Sequence, residues 1–181
     1  MKAKIQIALA LLFAFTLASY AEVTARNGIG DWNLVSIGGF TFAKALSIDL
    51  MPTNAPKAGV RYSIRCQVIY EDHDIPSPRT DEEFGLLLET GELLNEWVGE
   101  LIAQKYMGME FEDLFARYYS KNLADEVNSL FPIYVKEKIE AMESGNRPNI
   151  KTVTVQVEAE GEFRNELVKY LEQRANVPQR T

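Results

Sequence analysis

The residue types best suited to chemistry crowd into one stretch, YEDHDIPSPRTDEE, residues 70–83. His73, the sole histidine, lies there among Glu71, Asp72 and Asp74. Imidazole and carboxylates are metal ligands and proton carriers, so Asp72, His73 and Asp74 are the candidates for a weak metal site or for pH sensing. Carboxylates beside an imidazole favour its charged form, which would let the loop respond to acidification. Counted as a calcium loop from Asp72, Asp74 takes the third place and Glu83 the twelfth, as in an EF-hand. The frame then fails, because Pro76 offers no side-chain oxygen and Ser77 stands where the sharp turn wants glycine. Thr80-Asp81-Glu82-Glu83 fits a capping box instead, with Thr80 as N-cap and Glu83 reaching back to its N–H. The stretch therefore reads chiefly as a connector from a strand to a helix, and no cofactor is expected.

Nucleophilic chemistry is tightly limited, since a Ser-His-Asp or Cys-His arrangement would have to use His73. Cys66, the sole cysteine, cannot form an internal disulfide. It sits in RYSIRCQVIY, where period-two alternation places it with Tyr62, Ile64, Val68 and Tyr70 on the apolar face of a strand. A buried core thiol is the expectation. The motifs G-x-S-x-G, C-x-x-C, H-E-x-x-H and the glycine-rich phosphate loops are absent, so no catalytic residue is nominated.

The second candidate is a stripe of acids. Glu92, Glu96 and Glu100 follow one another at i, i+4 on a predicted helix, with Glu89 three residues earlier. Like charges at that spacing destabilise a helix slightly, and the usual outcome is a solvated face. The same face could dock a basic protein partner, because acidic surfaces steer oppositely charged ones.

The elements that must position these groups follow from periodicity. Apolar runs on either side of Gly38-Gly39 predict a β-hairpin over 32–50, whose second arm places Phe40, Phe42, Leu46, Ile48 and Leu50 on one face. A strand near 60–71 follows. Apolar positions from Phe84 to Ile102 recur at helical spacing, predicting a helix from Asp81 to about Met107 that breaks near Thr90-Gly91 or packs closely against a neighbour there. A second helical block runs from Met109 to Phe131, with Pro132 opening a third helix that stops at SGNRP. Val153, Val155 and Val157 alternate with polar residues in a strand over 150–158, and EFRNELVKYLEQR forms a last short helix. The predicted class is α+β: an antiparallel sheet, made of the N-terminal hairpin and the strands near 60–71 and 150–158, covered on one face by three or four helices. The aromatic set Phe111, Phe115, Tyr118, Tyr119, Phe131 and Tyr134 is expected to serve that core.

The N-terminus sets the address. Lys2 and Lys4 precede an apolar run, followed by Ser19 and Ala21 as small residues, so residues 1–21 read as a cleavable signal peptide. Residues 22–31 read as a flexible lead-in, 32–175 as a single globular domain and 176–181 as a frayed tail. The full chain of 181 residues has a net charge of −7. Residues 1–21 carry two lysines and no acid, so their removal leaves −9. That balance argues against nucleic acid and anionic membrane surfaces as partners, and no membrane span is expected after the signal is removed. The expectation is an exported, non-catalytic binding or accessory protein of the cell envelope, periplasmic or secreted, acting through protein contact. A carrier of a small apolar ligand held in a sheet–helix cleft is the alternative. A hydrolase using carboxylates near 71–83 is the third reading.

Overall fold

A computed structural model describes residues 24–27, 33–145 and 147–175 of the chain. The expected signal at 1–21 and the tail at 176–181 lie outside these. The sheet contains β1 (Thr24–Asn27), β2 (Asn33–Ile37), β3 (Phe40–Phe42), β4 (Leu46–Asp49), β5 (Tyr62–Asp72) and β6 (Ile150–Glu160). Among the described residues four helices accompany it: α1 (Asp81–Tyr106), α2 (Phe111–Tyr119), α3 (Asn122–Ala141) and α4 (Gly161–Ala175). The fold is α+β, and every strand pair is antiparallel in an open sheet.

The turn between β2 and β3 is made by Gly38 and Gly39, with φ of 58° and 87°. Two positive values in succession match the twist of a tight hairpin, and glycine adopts them without a Cβ clash. β3 and β4 then lie end to end along the same side of β5. Thr41 stands opposite Tyr70 and Leu46 opposite Cys66, so five steps along one strand match four along the other. The extra residue falls in Ala43–Ala45, where Ala43 N–H donates to the Val68 carbonyl at 2.9 Å. One inserted residue exchanges the two faces of everything before it. The expected apolar face of the hairpin arm is corrected accordingly: Ile48 and Leu50 are buried, but Phe40 is 43% exposed while Thr41 and Ala43 are buried.

β1 is a second difference. Thr24–Asn27 falls within the stretch expected as a lead-in, yet it pairs with β2 from Thr24↔Ser36 to Asn27↔Asn33. An edge strand can be recruited by main-chain hydrogen bonds alone, which apolar content does not report.

β5 is the centre of the sheet. Tyr62, Ile64, Cys66, Val68, Tyr70 and Asp72 are all buried, alternating with more exposed residues. Their partners on β6 bring Val153, Val155 and Ala159 to the same face. The helices cover this face, and Phe131, Phe163 and the α1 residues Leu87, Leu94, Val98 and Ile102 complete the core. α1 runs unbroken past Thr90-Gly91, and close packing is what Gly91 serves. A Cβ there would lie 3.4 Å from Ala43 Cβ and 3.5 Å from Tyr70 Oη, the hydroxyl that donates to the Leu87 carbonyl one turn earlier.

The helical block after α1 breaks well before the place expected at Pro132. Its break is at Ser120-Lys121, where Lys121 has φ of 62° and the Ser120 hydroxyl donates to the Ala116 carbonyl at 2.9 Å. Pro132 lies inside α3 and opens no new helix. Proline denies the Asn128 carbonyl its usual donor, at a cost of about 3 kcal/mol. The burial of Phe131 and Val135 beside it offsets that cost. None of the helices among the described residues is long and apolar enough to cross a membrane.

Candidate functional site

At the end of β5 the Asp72 carboxylate turns inward and is 6% exposed. Its Oδ1 accepts from the N–H of Asp74 at 2.8 Å and of Ile75 at 3.3 Å, closing an Asx turn. The neighbouring groups are tied to the start of β6: His73 N–H donates to the Asn149 carbonyl at 2.8 Å, and Asn149 Nδ2 donates to Asp74 Oδ1 at 3.1 Å. Glu71 pairs with Lys151 at 2.7 Å. The structure thus brings Asp72, His73 and Asp74 together in one turn, with the His73 side chain at the surface and both aspartates holding the chain path. Among the described residues no three His, Cys, Asp or Glu side chains converge as a metal would require.

The other end of the stretch is the helix cap. The Thr80 hydroxyl accepts from Glu83 N–H at 3.2 Å, while Glu83 Oε2 accepts from Arg79 N–H at 2.6 Å and Thr80 N–H at 3.0 Å. Those two backbone donors, Arg79 first, hold the Glu83 carboxyl below its ordinary range. A carboxyl with a lowered folded pKa stabilises the fold above the ordinary glutamate range and loses that contribution as pH falls through the lowered value. A carboxyl-detected NMR titration should find the Glu83 midpoint below that of an ordinary glutamate. An ordinary midpoint would mean that the box is open in solution.

The acidic stripe divides in two. Glu89, Glu92 and Glu96 are exposed on α1, and among the described residues none has an ion-pair partner. Glu100 is instead engaged by α3, with Lys138 Nζ at 2.6 Å and the Tyr134 hydroxyl donating to it at 2.8 Å. Lys138 and then Tyr134 hold its carboxyl below the usual range. The acidic stripe thus keeps three of its four residues without an ion pair among the described residues.

Cys66 is fully buried at the centre of β5. Desolvation pushes its thiol up to about 12, so thiolate is scarce in the folded protein. A thiol reagent at mildly alkaline pH should leave the native protein unlabelled and label it fully in denaturant. Rapid native labelling would contradict this placement.

The space between sheet and helices is filled by large side chains, among them Tyr62, Tyr70, Tyr106, Phe131 and Phe163, each 2% exposed or less. Phe111, Phe115, Tyr118, Tyr119, Phe163 and Tyr170 join α2 to α4 through edge-on and tilted ring contacts. Between the second half of α3 and the start of β6 lies a sheet–helix groove of about 710 Å³, whose lining residues the sequence did not nominate. Pro132, Val135, Ile139, Ile150 and Val153 line it, with Lys136, Glu140 and Lys151 also contributing. Pro132 inside a helical pattern was the available signal.

These features define an α+β protein with an open antiparallel sheet, helices on one face and a groove between α3 and the start of β6. The chain matches no family model, no curated protein and no solved structure.

Proposed function

We propose that the chain is an exported, non-catalytic binding protein of the cell envelope that acts through protein contact. The observation that carries the reading is the exposed run of carboxylates on α1, beside a core in which Tyr62, Tyr70, Tyr106, Phe131 and Phe163 are buried between sheet and helices. On that surface Glu89, Glu92 and Glu96 present a run of carboxylates without ion-pair partners among the described residues, suited to a basic partner. Of the carboxylates a hydrolase would draw on near residues 71–83, Asp72 serves the Asx turn, Glu71 the Lys151 pair, Asp74 the Asn149 contact and Glu83 the helix cap. Lys2, Lys4, the apolar run and Ala21 support export and cleavage ahead of Glu22.

The test is capture from an envelope extract by the mature chain, compared with a variant carrying Glu89→Lys, Glu92→Lys and Glu96→Lys. Glu100 stays unchanged, because its loss would free Lys138 and disturb the contact between α1 and α3. A specific protein retained by the wild type and lost by the variant is expected. Equal capture by both removes the acidic face from the account.

A further inference from the structure

Beyond residues 1–21 the chain carries Met51, Met107, Met109 and Met142. The first three meet at one place, where the segment after β4 lies alongside the turn from α1 to α2. Gly108 N–H donates to the Leu50 carbonyl at 2.9 Å, Thr53 N–H to the Met109 carbonyl at 3.0 Å, and Phe111 N–H to the Thr53 carbonyl at 2.9 Å. Thr53 and Glu110 thereby form a parallel bridge. Backbones joined in this way run about 5 Å apart, so Met51 stands beside Gly108, with Met107 and Met109 on either side of that glycine.

Both segments are fixed in place. Met107 has φ of −66° and ψ of 131°, Gly108 has φ of 74°, and Met109 N–H returns to the Tyr106 carbonyl at 3.3 Å, as in a type II turn. Met51 has φ of 45°, and its N–H donates to Asp49 Oδ1 at 3.2 Å. A Cβ at Gly108 would meet nothing within 4 Å, so the space over the turn is open. Methionine ordinarily fills gaps in a core. Here Met109 is half-buried, but Met51 is 62% exposed and Met107 44%.

The thioether is a soft ligand without a proton to lose, and soft sulfur ligands select Cu(I) where carboxylates select magnesium, calcium or manganese. The carboxylates on the same two segments are engaged with the protein. Glu110 accepts from Asn54 Nδ2 at 3.3 Å, and Asp49, besides holding Met51, faces Arg61 at 3.8 Å. Cys66 is buried, and His73 follows the far end of β5. Sulfur is therefore the ligand this corner offers.

We propose that Met51, Met107 and Met109 form a three-thioether site for one soft monovalent cation, Cu(I) or its redox-inert analogue Ag(I). The three rotatable bonds of each methionine let sulfurs from neighbouring backbone positions turn onto one ion over Gly108. Binding at thiolate, imidazole or carboxylate weakens in acid because protons compete, whereas binding at thioethers stays constant. The site goes beyond the reading of the chain as a protein-binding module and uses none of Glu89, Glu92 and Glu96.

The test titrates the mature chain, carrying 13C in its methionine methyl groups, with Ag(I) in chloride-free buffer and follows the methyl signals by NMR. Met142, the C-cap of α3, is the internal reference. Expected are saturation at one ion per chain, shifts at Met51, Met107 and Met109 with Met142 unmoved, and equal affinity at about pH 7.5 and about pH 5.5, on either side of the histidine range. Met51→Leu and Met107→Leu keep the side-chain size, and each should lose at least about tenfold in affinity, since even a group that only supports a ligand is worth that much. Competition with bicinchoninate reads the same loss for Cu(I). No shift at millimolar Ag(I) overturns the proposal. A response shared equally by all the methyl signals also overturns it, because each thioether would then bind alone. Affinity that falls in acid would move the ion to His73 or to carboxylates and overturn it as well. Each of these failures leaves the capture experiment on Glu89, Glu92 and Glu96 untouched, so the two claims fall separately.

Discussion

Gly91→Val is expected to lower stability by about 2–6 kcal/mol, while Gly91→Ala stays within about 1 kcal/mol of the wild type. The contrast follows from what stands over the helix at that point. A Cβ at residue 91 lies 3.4 Å from Ala43 Cβ and 3.5 Å from Tyr70 Oη, which is ordinary contact, so alanine fits and gains helix propensity. Valine adds two methyl groups where Ala43 and Tyr70 already sit. Overpacking of this kind costs about 1–3 kcal/mol. It also displaces the Tyr70 hydroxyl from the Leu87 carbonyl and leaves a buried polar group unpaired, at about 1–3 kcal/mol more. Urea unfolding at constant slope reads the difference directly. Gly85→Ala serves as the control, since a Cβ there meets nothing within 4 Å and only the propensity gain applies.

The second large effect is expected at Asn128. Its amide satisfies both backbone groups of Val155 at the free edge of β6 and also donates to the Ala124 carbonyl at 3.0 Å. Asn128→Leu keeps the size and removes all three bonds. Two half-buried backbone groups then lose their partners, and a loss of about 2–4 kcal/mol follows. Asn128→Asp separates the roles, because a carboxylate still accepts from Val155 N–H but repels the Val155 carbonyl. That repulsion raises the folded pKa of the new carboxyl above its unfolded value. The variant should therefore be nearer wild type in acid, where the group is protonated and can donate, and lose stability as pH rises through the raised value. Equal deficits at both pH values would contradict the bidentate contact.

What could be read in advance was local. The alternation through Tyr62–Tyr70 and Val153–Val157, the Gly38-Gly39 turn and the Thr80–Glu83 capping box each place their signal within a few residues, and each appears in the fold. What escaped reading depends on partners far along the chain. The extra residue in Ala43–Ala45 shows itself only in register against β5, and it decides that Thr41, not Phe40, faces the core. Lys121 takes a left-handed conformation that glycine usually advertises. Pro132 stays within α3 because the residues around it are buried, and burial is not a property of the local pattern. Lys138, which claims Glu100, lies on another helix. The Asp72-His73-Asp74 cluster was visible from the start, but its structural role depends on Asn149 at the entrance to β6.

The most direct measurement of the central claim is site-specific photo-crosslinking in cells of origin, with a photoreactive phenylalanine analogue at position 92 or 96 and at a control position, 172, exposed on α4. The account predicts that the processed chain, beginning at Glu22, forms a discrete adduct with an envelope protein from positions 92 and 96, and that Glu89→Lys diminishes it. No adduct from either position, or an unprocessed chain retained inside the cell, would contradict an exported protein that binds through this face.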